Sequence, residues 1–316
     1  MSSFEIFSHI ELESKEVYSY LVNSANLERC SSPFFELGNT NFTGPEINED
    51  NFFIQKFSLL EQFQLFYKVK ELIKDKKIVY DFNGVLKGTQ KINLIENGKS
   101  CILREKFDFS LFNNLSIPAL NFLLLTFLYV NSFISHIRLK NAIYKDKKIS
   151  PKSNFSKPIR SYISINASIE NIIPMFNDLN KLSLWLPSFI KIENFQNEET
   201  KENYKSFLIN LTLPLLPTLT SKITYTNQNQ ITISFANQKI KGKNYWKFFT
   251  CENETIVENS IYIEELVSYI KLLWFLVGNT FIKTELKNWN KKLKELAEKT
   301  NLLKQLELSF EGLSNQ

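Results

Sequence analysis

The chain is poor in the residues that most enzyme chemistry needs. Its 316 residues include two histidines, three cysteines and eight glycines. Cys30, Cys101 and Cys251 are far apart, odd in number and form no Cys-x-x-Cys, which argues against a disulfide framework and a structural zinc site. His9 and His136 lie in the same half of the chain and outside any ligand motif, so no metal is expected. Neither Ser-His-Asp nor Cys-His catalysis is suggested, because the second half has no histidine. No serine sits in Gly-x-Ser-x-Gly, and the glycine-rich nucleotide loops are missing, so no cofactor is expected. Charge of one sign is scarce too. The net charge is +5, with lysines scattered among glutamates apart from short runs such as Lys145-Asp-Lys-Lys, whereas a nucleic-acid binder concentrates its charge. A weak attraction to an anionic membrane surface stays open. The opening MSSFEIFSHIELESKE has no basic n-region and no long apolar run, so it reads as lacking a secretory signal and the cytoplasm is the expected location.

What the chain does have is apolar bulk. It is 43% hydrophobic and 14% aromatic, with 28 phenylalanines. This suffices for substantial cores, and the length fits two domains of about 150 residues. In the first half, Phe4, Ile6, Ser8, Ile10 and Leu12 alternate as a strand. Ser14 offers a cap for a helix over 15–27, and Pro33 stops that region. Strand-like runs follow at 51–60, 62–73, 77–84, 89–98 and 100–111, with Asn83-Gly84 and Asn97-Gly98 as bulge or hairpin signals. A long helix is expected from Ile117 to about Lys147.

The second half repeats that order. A strand is expected at 161–167, then a helix capped by Ser168 and interrupted by Pro174, then strands at 202–213, 221–226, 230–236, 240–250 and 255–265. A long helix is expected from near Val267 to about Thr300, with the apolar stripe Phe281/Ile282, Leu286, Trp289, Leu293 and Leu296. At an offset of 155, Leu12 meets Ala167, Val17 meets Ile172 and Leu27 meets Leu182; at 154, Ser14/Ser168, Asn23/Asn177, Asn26/Asn180 and Pro33/Pro187 are identical. This is a diverged duplication with a one-residue slip. Domains are expected at 1–148 and 159–303, joined by a lysine-rich linker at 149–158 and followed by a tail at 304–316.

Strand parity sorts the charged residues. In the last strand of the second half, Val257, Asn259, Ile261 and Ile263 should face the helix, and Glu258, Ser260, Tyr262 and Glu264 the solvent. Asn259 is then a polar group on an apolar face and must find a hydrogen bond from protein, water or ligand. In the first half, Glu105 shares the inward parity of Leu103 and Phe107, and Arg104 is expected to be exposed.

Strand, helical segment, about six antiparallel strands and one long helix resemble the START-like, or SRPBCC, superfamily, which includes polyketide cyclases, coenzyme Q-binding proteins and pollen-allergen-like carriers. In the second half Ile163, Ile165, Ala167, Glu170, Ile172, Trp185 and Pro187 carry the match, with KGKNYWKF and VENSIYIEE for later strands. In the first half LERCSSPF resembles a ligand-binding branch sometimes described as cell-division inhibitors; that branch's histidine-containing strand is replaced here by GTQKINL. The resemblance implies an α+β fold of two tandem helix-grip domains, each a curved antiparallel sheet wrapped around a long C-terminal helix, with a cavity between. Phe34, Phe35, Trp185 and Phe189 would then lie near the cavity mouth. Wall candidates are Tyr80, Phe82, Glu105 and Phe107 in the first half, and Ile233, Phe235, Trp246, Phe248, Asn259, Ile261, Trp274 and Phe281, with Trp185, in the second. A filled core would show the same residues.

Residues 109–137 carry no charge, a stretch of 29 positions that invites a membrane reading. Asn121, Asn131, Ser132, Ser135 and His136 recur within it, and a span would remove the helix that the first sheet must grip. The expectation is instead a helix with one face on the sheet and a surplus apolar face toward lipid or the other domain. The leading functional expectation is binding, with transfer as an extension, of a hydrophobic small molecule such as a lipid, quinone or polyketide, with transient membrane contact and no nucleic-acid partner. The alternatives are a cyclase or aromatase-type enzyme and a ligand-free scaffold.

Overall fold

The computed structural model describes residues 2–38, 40–57, 60–111, 118–149, 158–177, 179–185, 191–199, 205–212, 219–227, 229–237, 240–266 and 279–314. The chain separates into two compact units, Met1–Pro151 and Lys152–Gln316.

Unit 1 opens with β1 (Ser2–Ile10), then α1 (Ser14–Val22) and α2 (Ser24–Cys30). Six strands follow: β2 (Phe35–Gly38), β3 (Phe52–Phe57), β4 (Leu60–Ile73), β5 (Lys77–Gly84), β6 (Leu86–Asn97) and β7 (Ser100–Leu111). The long helix α3 (Pro118–Asp146) ends the unit. All seven strands form one antiparallel sheet in the order β1-β7-β6-β5-β4-β3-β2, which curls around α3. The first and second strands therefore lie on opposite edges, and α1 and α2 carry the chain from one edge to the other.

Unit 2 repeats the plan. It has β8 (Ile159–Ile165), short helices α4 (Ile169–Ile172), α5 (Pro174–Asn177) and α6 (Leu179–Trp185), and strands β9 (Lys191–Glu199), β10 (Lys205–Thr212), β11 (Leu219–Asn227), β12 (Gln230–Ala236), β13 (Ile240–Cys251) and β14 (Glu254–Leu266). The order β8-β14-β13-β12-β11-β10-β9 has the same topology, and α7 (Asn279–Ser314) is its long helix. Both units are helix-grip domains.

Local chemistry accounts for most boundaries. In β13, Ile240, Gly242, Asn244, Trp246 and Phe248 are buried and the residues between them are not, the period of a strand with one face on the core. At the β6–β7 hairpin Gly98 takes φ +64°, which a residue with a Cβ resists. At Gly84, φ is +140°, and a Cβ there would sit 2.1 Å from the Gln64 carbonyl oxygen.

Several expectations are corrected. The helix expected over 15–27 is two helices, because Asn23 is extended (φ −75°, ψ 117°) and bridges to Glu46. Ser14 is not its cap; its hydroxyl donates to Glu96 Oε1 at 3.1 Å. α7 continues in helical form through residues 304–314 of the expected tail, to Ser314. β2 and β9 had no counterpart among the expected strands. Arg104 and Glu258, both expected in solvent, are 3% and 2% exposed. Side-chain alternation is intact, but both residues sit on strands flanked on either side, and each closes on an opposite charge: Arg104 Nη2 on Glu5 Oε1 at 2.5 Å, and Arg160 Nε on Glu258 Oε1 at 3.1 Å.

Candidate ligand-binding site

Inside unit 1 lies a cavity of about 120 Å³ that opens to solvent beneath α2. Its floor is the inner face of the sheet, with Gln55, Tyr67, Gln90, Ile92, Leu103, Glu105 and Phe107. One wall is α3, through Leu128, Asn131, Ser132, Ser135, His136 and Leu139. The rim comes from α1, α2 and the chain just after them, through Tyr20, Asn26, Leu27, Cys30, Ser31 and Phe35. Phe35 is buried at that rim, and Phe34, 37% exposed, rests on Phe127 with ring centroids 6.0 Å apart.

The polar groups of the cavity are ordered. Ile92 pairs with Glu105 across β6 and β7, which puts Gln90, two residues earlier, on the same face. Gln90 Nε2 donates to Glu105 Oε1. His136 Nε2 lies 3.1 Å from Glu105 Oε2, and His136 Nδ1 lies 2.8 Å from Ser8 Oγ. A carboxylate only accepts, so a hydrogen on Nε2 suits the side that faces Glu105, while the Ser8 hydroxyl can donate to or accept from Nδ1. The ring N–H is not aimed along the line to Oε2, which leaves that oxygen close to the imidazole without an aligned hydrogen bond. Glu105 and His136 are 5% and 6% exposed. The result is a line of four side chains, Gln90–Glu105–His136–Ser8, that ties three strands, β6, β7 and β1, to the gripped helix and can hold a hydroxyl or carbonyl or move a proton.

Aromatic rings back this line. Tyr67 stacks on Phe53 at 4.9 Å and meets Tyr80 edge-on at 6.2 Å. Burial raises both phenol pKa values well above the ordinary 10, with the Glu105 charge adding to the effect, so both stay neutral hydroxyls. At the rim, burial pushes the Cys30 thiol up to about 11, so it supplies no thiolate nucleophile. Tyr20, also at the rim, donates to Asp146 Oδ2 at 3.0 Å. Arg29 on α2 holds the same carboxylate in bidentate fashion, at 2.6 and 2.8 Å, pinning the rim to the end of α3. Among the described residues no three His, Cys, Asp or Glu side chains gather as a metal-ligating group.

Unit 2 places different chemistry at the matching positions. Gln90, Glu105 and His136 correspond, 154 positions on, to Asn244, Asn259 and Asn290. The same register holds, with Trp246 opposite Asn259 as Ile92 is opposite Glu105. Trp246 Nε1 donates to Asn244 Oδ1, Asn244 Nδ2 to Asn259 Oδ1 at 2.6 Å, Asn259 Nδ2 to Asn290 Oδ1 at 3.0 Å, and Asn290 Nδ2 to Ser161 Oγ at 3.2 Å. This chain of amides is buried, and protein groups occupy both ends of the Asn259 amide. On the helix, Ser132 and Ser135 of unit 1 correspond to Leu286 and Trp289, so small hydroxyls leave space where large apolar groups fill it.

The wall candidates divide accordingly. Glu105 and Phe107 line the cavity; Tyr80 and Phe82 are buried behind it, against Tyr67. In unit 2, Trp185, Trp246 and Phe248 surround Phe176 in an aromatic cluster, and Trp185 Nε1 donates to the Met175 carbonyl at 3.2 Å. Ile261 is buried, Ile233 and Phe235 are half-buried, and Phe281 is 48% exposed at the start of α7. That exposure removes Phe281 from the core side of the helix, whose buried line is Leu286, Asn290, Leu293 and Ala297. Trp274, Pro187 and Phe189 lie outside the described residues. Gln90, Asn131, Ser132, Ser135, His136 and Ser8 were not among the candidates. The signal for the four on α3 was a polar face, Asn131, Ser132, Ser135 and His136, within an otherwise apolar helix; Ser8 and Gln90, on β1 and β6, had no comparable signal.

No protein-family model matches the chain, and no curated protein does. Among solved structures it is similar to the di-domain ARO/CYC BexL from the BE-7585A biosynthetic pathway, 13% identical over 95% of this chain and 98% of that one, with a TM-score of 0.36. The di-domain ARO/CYC StfQ from the steffimycin biosynthetic pathway is 11% identical over 94% and 99%, with a TM-score of 0.38. TTHA0849 from Thermus thermophilus is 13% identical and covers 45% of this chain and 97% of its own, with a TM-score of 0.37. Likeness of this strength carries no statement about what the chain binds.

Proposed function

We propose that unit 1 binds a hydrophobic small molecule in the cavity between its sheet and α3, with α2 and the residues after it as the rim. The observation that supports this most is the cavity itself: apolar and aromatic side chains such as Tyr67, Ile92, Leu103 and Phe107 on the sheet side, facing polar groups of α3 that converge with Glu105, a combination suited to holding a small molecule. Its size suits one small ring or the end of a longer ligand, since a cavity of roughly 150 Å³ takes up benzene. Ligand identity falls within the lipid, quinone or polyketide range, and transfer to a second site extends the same reading. Native mass spectrometry of freshly purified full-length protein, with solvent extraction, tests it. A co-purifying apolar compound at one per chain is expected. A clean mass in gentle conditions, unchanged by added apolar probes, contradicts the reading.

A second reading, an acid–base enzyme of the cyclase kind, is favoured by the contact between Glu105 and His136 inside the cavity. Catalysis would require the compound extracted from the protein, or a close analogue, to be converted by wild type and left intact by His136→Asn. Equal conversion by both contradicts a role for His136.

No helix among the described residues is long and apolar enough to cross a membrane. The surplus apolar face of α3 is present, with Tyr129, Val130, Phe133 and Ile137 each 40% exposed or more. Transient lipid contact through this face would give the ligand a route to the rim. Flotation with anionic vesicles is expected to carry the wild type and to lose it on Phe133→Ser/Ile137→Ser; no flotation of the wild type contradicts the contact.

A further inference from the structure

Asn131 is 2% exposed, yet neither its Oδ1 nor its Nδ2 has a hydrogen-bond partner among the described residues. It lines the cavity of unit 1 from α3, on the same wall as Ser132, Ser135 and His136. Glu105 Oε2, on the strand side of that cavity, also lacks an aligned hydrogen bond. Buried amides are almost always paired, because desolvating one without a partner is costly. An orphaned carboxamide facing a cavity therefore points to what fills the cavity. Among the described residues the lining includes no lysine or arginine, so an anionic ligand would meet no fixed positive charge from them and would face Glu105 instead. A hydrocarbon would leave both ends of the amide unpaired. A carboxylate, which only accepts, would leave Oδ1 unpaired.

Resting on the reading of this cavity as the ligand site, we propose that Asn131 recognises a neutral ligand that carries a hydrogen-bond acceptor beside a donor. Suitable edges are a primary amide, a lactam, or a hydroxyl or enol next to a carbonyl, borne on an apolar body. Asn131 Nδ2 donates to the acceptor and Oδ1 accepts from the donor, while the aromatic and aliphatic walls take the body. The same helix positions in unit 2 carry no such group: Asn131 corresponds to Glu285, and Asn290 is spent within the protein network.

The test uses three probes on the full-length chain: benzamide, benzoate and ethylbenzene. Ligand-observed NMR titration gives affinities, and thermal melts report stability. Wild type is expected to bind benzamide at least about tenfold tighter than benzoate, the size of effect that one buried hydrogen-bonded pair supports. Asn131→Leu, nearly isosteric, is expected to lose about tenfold for benzamide, to keep ethylbenzene and to melt higher than wild type. Asn131→Asp, which removes the donor, and Asn131→Ser, which withdraws the amide, serve as further variants if Asn131→Leu does not fold, because Glu105 by itself disfavours benzoate in the wild type; benzamide held at wild-type affinity by either folded variant overturns the role of Asn131. If ethylbenzene binds and benzamide shows no preference, or folded Asn131→Leu keeps benzamide, the cavity reading stands and the role of Asn131 is overturned, its amide being hydrated. If no probe binds or raises the melting temperature, the cavity reading itself falls.

Discussion

His136 on α3 and Asn290 on α7 occupy the same place in the two units and reach the same strand position, Glu105 in one and Asn259 in the other. In unit 1 the link joins two titratable side chains at the edge of a cavity. In unit 2 it joins two amides whose remaining valences are taken by Asn244 and Ser161. The two units share the tie between helix and sheet and differ in its chemistry.

That tie gives a non-additive prediction. His136→Leu leaves the buried Glu105 carboxyl with Gln90 as its remaining side-chain partner and should cost about 1–3 kcal/mol. Glu105→Leu strands the imidazole in the same way. The double variant removes both polar groups, so its loss in urea denaturation should be well below the sum of the single losses. Additive losses would mean that the two side chains do not act as a pair.

In unit 2 the amide chain should behave as a structural unit. Asn259→Leu removes the donor to buried Asn290 Oδ1 and leaves buried Asn244 Nδ2 with the Ser260 carbonyl, at 3.2 Å, in place of two acceptors, and should cost about 2 kcal/mol. A chemical denaturation curve within about 0.5 kcal/mol of wild type would contradict the network.

The rim clamp should depend on pH. Arg29, through its hydrogen bonds, holds the Asp146 carboxyl below its ordinary 3.8, with Tyr20 adding a further bond. A lowered carboxyl pKa in the folded state means that the contribution is present above about 3.8 and is lost as pH falls through the lower folded value. The melting gap between wild type and Asp146→Asn should therefore be visible at pH 7, shrink near pH 3, and shrink also in high salt, because the pair is well exposed. A gap that grows on acidification would contradict the assignment.

Most of the fold was legible because periodicity writes it plainly. β12 was expected over 230–236 and observed there, and the expected bounds of β5, β7, β13 and β14 fall within about a residue of those observed. What was missed had weaker local signals: β9 is polar, and the helix break at Asn23 depends on a bridge to Glu46 that the sequence does not display. The inward parity of Glu105 and Asn259 was readable, but their partners were not, because His136 and Asn290 come from helices about 30 positions further on. His136 was set aside for want of a motif, although its pairing with Glu105 is spatial. The serines of α3 read as ordinary polar interruptions until set beside Leu286 and Trp289, which fill the matching places in unit 2.

That comparison supplies the most direct measurement. Ser135→Trp copies into unit 1 the residue that unit 2 carries at Trp289, and it should fill the cavity while leaving the sheet and helix in place. Ethylbenzene is titrated into full-length wild type and into this variant, with binding followed by ligand-observed NMR and folding by circular dichroism. Saturable binding at one site per chain in wild type, lost in a folded variant, is the predicted result. Equal binding by both proteins, or none by the wild type, would contradict a ligand site between the sheet and α3.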